Sequence, residues 1–462
     1  MFTYSFDKYK AYYKDNLILA LPIVLSQLGH TLVRMTDGMI VGHFAGTVQL
    51  AAVSLVNSLF MLILVLGLGI SYGLTPLIAQ ANGSNNKEEC GRLLSNSLLI
   101  NTLASIILYG LVLLVYYKVI DHLGQAPDVV LHAKPYLQYV GISIFPLMIF
   151  QAFKQFTEGL GFTKQAMMIS IWGNVINVVL GIISVKGMFG IAPMGVSGVG
   201  LSTLIDRILM AIAMGAYVFN AKDIKTYLTD FKLFSFDTSR IKKIAKLGAP
   251  VAMQYSFEIS AFSGAGILIG TIGKVEQAAH FTALSLSAFT YMLATGIANA
   301  ATIKTGNNFG SKNFFGLRLS AIASYHIVIV FMSSTALIFM LANNYLPYIY
   351  TSDTTVVAIA AQLLIIAGFF QLFDGTQVVG LGVLRGLGDV NMPTFITFLS
   401  YWVIGIPVGY LLCFEFGMGV KGIWYGLTFG LLTASILLFI RFQNRTKKLA
   451  ASIKTDLHQD RL

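Results

Sequence analysis

The chain has 462 residues, of which 56% are hydrophobic and 11% charged, whereas a soluble domain carries about 25% charged residues. Together with a mean hydropathy of +0.74, this composition excludes a soluble globular protein. The formal charge of +11 does not indicate a nucleic-acid partner, because Lys and Arg accumulate on the cytoplasmic side of membrane proteins whatever their function.

Apolar stretches of about 20 residues, long enough to cross a bilayer as a helix, recur along the whole chain. They are unbroken, unlike the alternating segments of a membrane β-barrel. We therefore predict an all-α integral membrane protein. Its twelve predicted transmembrane helices are Leu17–Ala45, Gln49–Tyr72, Gly91–Tyr117, Pro135–Phe156, Ala166–Val185, Pro193–Phe219, Leu247–Ile272, His280–Ile303, Leu317–Leu341, Val356–Leu384, Met392–Phe416 and Val420–Phe442.

The positive charges are distributed unequally between the two sides of the predicted membrane. Most of the 31 Lys and Arg lie in the N-terminal segment, in alternate loops and in the C-terminal segment. The positive-inside rule therefore predicts that both termini are cytoplasmic. The exceptions are Lys118, Lys134, Lys186, Lys274 and Lys421 on the other side, and Arg34 and Arg207 within spans.

The second half of the chain repeats the first with an offset close to 228 residues, at which Pro22 aligns with Pro250. At an offset of 227, Gly159–Leu160–Gly161 aligns with Gly386–Leu387–Gly388. Such a repeat predicts two six-helix lobes related by an axis along the membrane normal, as in transporters that alternate access around a central site. A structural scaffold or a channel is the alternative. The predicted domains are an N-terminal lobe at 1–219, a cytoplasmic linker at 220–246, a C-terminal lobe at 247–442 and a cytoplasmic tail at 443–462.

Two acids of the second half are predicted to lie at one depth. Glu258 is twelve residues into its span, about 18 Å, and Asp374 lies about 16 Å from the cytoplasmic end of its span near Arg385. An ionisable residue inside a membrane is costly and is by default a functional hypothesis. Two nearby carboxylates repel each other, and a bound proton or Na⁺ relieves the repulsion. By depth along the sequence, no Lys or Arg is expected beside either acid.

The first half contains a third acid, Asp37, one helical turn after Arg34. This spacing puts both on one helix face, so Asp37 is predicted either to couple a cation or to form a structural ion pair with Arg34. Asp206 and Arg207 are interpreted as interhelical partners, and Glu158 as a further acid near the membrane. The polar residues predicted to line a cavity of this half with Asp37 are Asn174, Asn177, Ser202 and Thr203.

Several short motifs recur in one known family. They are Pro22 with Asp37–Gly38, Gln80–Ala81–Asn82–Gly83, Phe257–Glu258, and Asp374 followed by Leu384–Arg385–Gly386–Leu387–Gly388–Asp389. In these motifs and over essentially its whole length, the chain resembles the multidrug and toxic compound extrusion (MATE) transporters, specifically the bacterial NorM-like branch. The resemblance implies that Glu258 and Asp374 form a cation-coupling site of the C-terminal lobe and that Asp37 belongs to one in the N-terminal lobe.

Two positions depart from the family pattern. Archaeal members bind Na⁺ with an Asp four residues after the Asn that matches Asn177, and here that residue is Gly181. Some NorM-like members have a Tyr ligand one turn before the acid of span ten, and here it is Phe370. The coupling ion, which is the only cofactor we expect, therefore stays open between H⁺ and Na⁺. The metal ion to consider at Glu258 and Asp374 is Na⁺.

The sequence thus predicts a secondary active antiporter that exports small amphipathic, often cationic drugs or toxic metabolites in exchange for inward H⁺ or Na⁺. We expect a multi-pass monomer in the bacterial cytoplasmic (inner) membrane, in contact with membrane lipid. The alternative is a flippase for lipid-linked oligosaccharide or a related polyisoprenoid lipid on a similar scaffold. ATP is not expected to drive transport, because no Walker A motif occurs. An enzyme is not expected, because no H-E-x-x-H, G-x-S-x-G or paired Asp-rich metal motif occurs.

Overall fold

The computed structural model describes residues 6–190, 192–233 and 235–459, and the side chains of these residues except 6, 7, 34 and 450–459. Within these ranges every regular element is helical, which confirms the prediction of an all-α chain. The α-helices are α1 (Phe6–Phe44), α2 (Thr47–Tyr72), α3 (Leu74–Gly83), α4 (Lys87–Leu114), α5 (Pro127–Ile142), α6 (Ile144–Gly159), α7 (Thr163–Lys186), α8 (Val196–Asn220), α9 (Lys222–Lys225), α10 (Thr238–Gly270), α11 (Lys274–Gly310), α12 (Phe314–Leu341), α13 (Thr354–Gly386), α14 (Asn391–Phe398), α15 (Ile406–Tyr410) and α16 (Val420–Gln459). Wider π-helical turns extend three of them, at Val115–Val119 after α4, Leu399–Gly405 after α14 and Leu411–Glu415 after α15.

Among the described residues, 11 helical stretches are long and apolar enough to cross a membrane. They correspond to eleven of the twelve predicted spans, and the chain is therefore a multi-pass membrane protein. The remaining predicted span, Leu247–Ile272, lies in α10, which is long enough at 33 residues. Its polar residues, which include Gln254, Ser256 and Glu258, lower its hydropathy below that of the other eleven.

The chain divides into two compact units. The N-unit comprises Leu25–Ala252, and the C-unit comprises Met253–Leu462 together with the beginning of the chain up to Val24. The chain passes from one unit to the other within α1 and within α10. Each of these helices contains a proline two residues before the boundary, Pro22 in α1 and Pro250 in α10.

Backbone details recur in the two halves at the spacing of the sequence repeat. A positive φ is unusual for a residue other than glycine, and an N-cap side chain occupies an otherwise unpaired backbone N–H. Both features are found at matched positions, which supports two lobes built from one repeated unit. The matched pairs are Asn85 and Lys312 (both φ 57°), Gly161 and Gly388 (φ 93° and 72°), Gly195 and Gly419 (φ 54° and 59°), and the N-cap residues Asn86 and Asn313.

The segment predicted as a cytoplasmic linker is docked on the N-unit. The Arg92 guanidinium donates to Asp230 with an Nε–Oδ2 distance of 2.7 Å, and the backbone N–H of Lys232 donates to Ser95 Oγ at 2.9 Å. Arg240, in the first turn of α10, donates to Glu89 with an Nη2–Oε2 distance of 2.6 Å. The linker charges thus pair with the beginning of α4 and hold the segment in place.

Candidate functional site

The two acids predicted to share one depth are buried together in the C-unit. Glu258 of α10 and Asp374 of α13 are each 4% exposed, and they interact electrostatically with each other. Glu258 accepts a hydrogen bond from the Tyr291 hydroxyl of α11. Within the described part of the chain, Glu258 Oε2 and Asp374 Oδ1 have no hydrogen-bond partner. Because buried polar atoms are nearly always paired, these two oxygens indicate a place for a proton or a small cation.

Close packing of α11 against α13 holds Tyr291 near the carboxylate pair. α11 and α13 approach so closely that a Cβ at Gly382 would collide with the backbone carbonyl of Ala298, and one at Gly386 with the Thr305 hydroxyl. Thr302 of α11 also donates to the carbonyl of Gly382 at 2.8 Å. Small residues allow such close approach of helices in lipid. This packing places Tyr291 on α11 beside the acids.

A buried arginine also belongs to this site, contrary to the expectation that no basic residue lies beside either acid. Arg385 is 5% exposed and interacts electrostatically with Glu258. Its guanidinium carbon lies 5.8 Å from the centre of the Tyr255 ring. The expectation was wrong because depth was counted from backbone rise alone, about 16 Å between Asp374 and Arg385, and ignored the reach and direction of the arginine side chain.

A second tyrosine supplies another hydroxyl near the acids. Tyr401, in the π-helical turn after α14, interacts electrostatically with Glu258 and Asp374, and its hydroxyl lies 3.0 Å from Gln377 Nε2. Neither Tyr291 nor Tyr401 was predicted from the sequence, because a tyrosine in an apolar span gives no signal of what its hydroxyl contacts.

Phe370, one helical turn before Asp374, is surrounded by other aromatic rings. The Phe370 ring packs against Phe262 and Trp424, with centroid distances of 6.0 Å and 5.5 Å. Phe370 therefore contributes packing to the core and no ligand oxygen. Tyr291 and Tyr401 are the hydroxyls that the described structure places around the two carboxylates.

The N-unit contains a second cluster of buried charge. Asp37 of α1 and Asp206 of α8 are 6% and 5% exposed, and Asp37 interacts electrostatically with Arg207 and Asp206. Arg207 Nη1 also donates to Ser143 Oγ at 2.6 Å. Oδ1 of each aspartate has no hydrogen-bond partner among the described residues. The side chain of Arg34, the predicted alternative partner of Asp37, lies outside the described residues.

The polar residues predicted to line a cavity of the N-unit are brought together in part. Asn177 Nδ2 donates to Thr203 Oγ1 at 3.2 Å, whereas Ser202 Oγ donates to the carbonyl of Val199 in its own helix at 2.8 Å. Asn174 faces α1, where a Cβ at Gly29 would lie 2.6 Å from Asn174 Nδ2.

Glycines of α7 make room for the polar groups around this cluster. A Cβ at Gly173 would collide with Asp206 Oδ1, and one at Gly181 would lie 3.5 Å from Ser202 Oγ. Asn174 Nδ2 and Asn177 Oδ1 have no hydrogen-bond partner within the described part of the chain. Two carboxylate and two amide groups of the N-unit thus retain unpaired buried atoms.

Glu158, the remaining acid near the membrane, is part of a separate buried ion pair in the N-unit. It lies one helical turn after Lys154 on α6, with an Nζ–Oε1 distance of 3.8 Å and both side chains 4% exposed. Lys154 Nζ also donates to Ser26 Oγ at 3.2 Å. Because each charge faces an opposite one, this pair has the character of a structural contact.

Comparison with known proteins was made for the whole chain. The MatE family model matches residues 22–183 and again residues 250–411, so it occurs once in each half. The chain is 30% identical over 440 residues to the "Probable multidrug resistance protein NorM" of Agrobacterium fabrum, covering 94% of each protein. It is 32% identical over 438 residues to the protein of the same name from Xanthomonas campestris pv. campestris, again covering 94% of each.

Among solved structures, the chain is similar to the one described as "Outward-facing conformation of a multidrug resistance MATE family transporter of the MOP superfamily". The TM-score is 0.88 at 22% sequence identity, and the match covers 95% of this chain and 96% of the other. At this level of identity the similarity concerns the fold, which confirms the predicted two-lobed helical architecture.

Proposed function

This chain belongs to the MatE family, in its bacterial NorM-like branch, and we propose that it is a secondary active multidrug efflux antiporter. It exports amphipathic, often cationic compounds by alternating access, in exchange for inward H⁺ or Na⁺. The observation that carries this proposal is the buried pair Glu258 and Asp374, whose unpaired oxygens can hold one of these cations. The substrate class is supported by the names of the relatives, which describe multidrug resistance proteins.

In this proposal the carboxylate pair of the C-unit exchanges a cation for substrate. A cation bound between Glu258 and Asp374 relieves their mutual repulsion, while the Tyr291 hydroxyl orients Glu258. Each inward monovalent cation supplies about 2.3 kcal/mol per 100 mV of membrane potential. This energy drives export only if substrate and cation exclude each other from the same state of the protein.

The N-unit cluster serves as a second cation-coupling site in this proposal. Asp37 is its main carboxylate, with Asp206 as a second acid that partly offsets Arg207. The asparagines Asn174 and Asn177 have free polar atoms for a cation or for substrate. H⁺ and Na⁺ both suit the donor set of carboxylates, amides and hydroxyls, and the experiment below distinguishes them.

The cellular setting completes the proposal. We propose that both termini are cytoplasmic, which the Lys and Arg distribution supports. We further propose that the protein is a monomer surrounded by lipid in the bacterial inner membrane, which its bacterial relatives support. A flippase for a pyrophosphate-linked lipid is disfavoured, because Arg207 and Arg385 each lie beside a carboxylate.

The proposal is tested by measuring uptake of a fluorescent lipophilic cation such as ethidium into everted membrane vesicles, in which export activity moves the dye inward. An imposed pH gradient and an imposed Na⁺ gradient are compared, each with and without a membrane potential. We expect one of the two gradients to drive transport of the dye into the vesicles, against its own gradient. Transport that follows neither gradient, and that requires ATP, would contradict the proposal.

A further inference from the structure

A small polar cavity lies beside the carboxylate pair, within the C-unit. It has room for about one water molecule. Residues of α10, α11 and α13 line it, and its polar side chains are Gln254, Tyr255, Tyr291, Thr295, Asn299 and Arg385.

Tyr291 and Arg385, which both interact with Glu258, line this cavity. On one side, Tyr291 lines the cavity and donates its hydroxyl hydrogen bond to Glu258. On the other side, Arg385 lies over the ring of Tyr255, which precedes Glu258 by three residues on the same face of α10. The cavity therefore lies between the Tyr291 hydroxyl that contacts Glu258 and Arg385. Arg385 is near the end of α13 that the positive-inside rule assigns to the cytoplasm.

The net charge of the site depends on whether a cation is bound. An arginine keeps its proton in proteins, so Glu258 and Asp374 in their ionised form leave this cluster, with Arg385, one net negative charge. One bound monovalent cation neutralises the cluster. Without the guanidinium there would be two net negative charges, and the acids would hold a cation more tightly.

We propose that Arg385 and Tyr291 promote release of the coupling cation, because they stabilise the ionised carboxylates once the cation has left through the cavity. Arg385 acts as a fixed countercharge to Glu258, and the Tyr291 hydroxyl donates a hydrogen bond to Glu258. Both are positioning residues for the exchange. The inference rests on the proposed function, since it requires that the carboxylate pair exchanges a cation.

No other group around Glu258 acts as its positive countercharge. Among the described residues that line the cavity, Arg385 alone is cationic. The groups that interact with Glu258 are Tyr291 of α11, Asp374 and Arg385 of α13, and Tyr401 of the turn after α14. Tyr255 of α10 interacts with Tyr291.

The test uses purified protein in proteoliposomes and measures initial rates of ethidium transport over a range of driving H⁺ or Na⁺ concentrations. Arg385→Gln should lower the half-saturating cation concentration about tenfold, as expected from loss of a nearby opposite charge, and should lower the maximal rate because release slows. Arg385→Lys keeps the charge and should stay within about threefold of the unchanged protein. Tyr291→Phe should shift the half-saturating concentration in the same direction as Arg385→Gln, by a smaller factor.

The readout separates this inference from a structural role and from the proposed function. A merely structural arginine would lower the maximal rate and leave the half-saturating concentration unchanged, and that result would overturn the inference. If Arg385→Gln does not accumulate in the membrane, Tyr291→Phe decides, because it keeps the aromatic ring and removes only the hydroxyl. Absence of cation-driven transport in the unchanged protein would overturn the proposed function itself.

Discussion

The N-unit and the C-unit each bury two acids beside one arginine, yet they build these clusters differently. The C-unit takes its acids Glu258 and Asp374 from α10 and α13 and surrounds them with tyrosine hydroxyls. The N-unit takes Asp37 and Asp206 from α1 and α8 and has asparagine amides nearby.

The repeat did not supply either cluster. At the repeat offset, Glu258 aligns with His30 and Asp374 with Leu147, so the acids of one half have no counterpart in the other. The two halves share turns, helix caps and helix contacts. One example is the positive φ at Gly161 and at Gly388. Duplication thus accounts for the scaffold, and the buried charges were placed separately in each half.

The largest expected effect is on the C-unit. Glu258→Gln and Asp374→Asn should each reduce cation-driven efflux to background while the protein still accumulates in the membrane, because each amide keeps the shape and removes the charge that binds the cation. Dye transport into everted vesicles and the amount of protein in the membrane are measured together. Glu415→Gln, at an exposed position of the same unit, is the matched control and should be as active as the unchanged protein. Full drug resistance in both test variants would rule out this site.

In the N-unit, the pair Lys154 and Glu158 should behave as a structural contact. Lys154→Met leaves Glu158 as an uncompensated buried charge and should cost about 3–5 kcal/mol of stability. The double variant Lys154→Met with Glu158→Leu should recover most of this loss and should transport. Thermal stability in detergent and dye efflux are the measurements. A stable but inactive double variant would show that this pair belongs to the transport machinery.

A double-mutant cycle tests whether Asp37 couples a cation or only neutralises Arg207. Arg207→Gln should lower stability by about 1–3 kcal/mol, because a buried carboxylate loses its partner. Combining it with Asp37→Asn should restore stability. Efflux should stay lost in the double variant, because the coupling carboxylate is absent. Restored efflux would instead assign Asp37 a structural role.

The smallest effect is expected at the docked linker, where the charge of Asp237 is partly exposed. Backbone N–H groups at the beginning of α10, first that of Arg240, hold the pKa of the Asp237 carboxyl below its ordinary value. A carboxyl whose pKa is lower in the folded state stabilises the protein at pH values above its ordinary pKa. This stabilisation is lost as the pH falls through the lowered pKa. Asp237→Asn keeps an N-cap acceptor and removes the charge. It should lower Tm slightly at pH 7 and should match the unchanged protein at the acidic end of a pH series, whereas an equal Tm difference at every pH would contradict this explanation.

The sequence was sufficient to predict the helices, the repeat and the buried acids. Span length and hydropathy determine where a helix crosses the bilayer, and the glycine and proline landmarks of the two halves show the duplication. The depth of Glu258 and Asp374 followed from helical rise alone. These features depend on position along a helix, which a sequence states directly.

Contacts between helices could not be predicted in the same way. Depth does not say which way a side chain points, so Arg385 was missed beside Glu258, and the association of Asp37 with Arg207 was not anticipated. The pairing of Asp230 in the predicted linker with Arg92 of α4 was not anticipated either. Each error concerns a partner that is distant in sequence and becomes close only when helices pack.

The central claim, that the carboxylate pair exchanges a cation for substrate, is tested most directly by equilibrium binding. Purified protein is loaded with ethidium, and its release is followed by fluorescence anisotropy as the pH is lowered or Na⁺ is added. We expect one of the two cations to displace ethidium from the unchanged protein, whereas the double variant Glu258→Gln with Asp374→Asn should bind ethidium and retain it. If the double variant releases ethidium at the same cation concentration as the unchanged protein, the carboxylate pair is not the site of exchange.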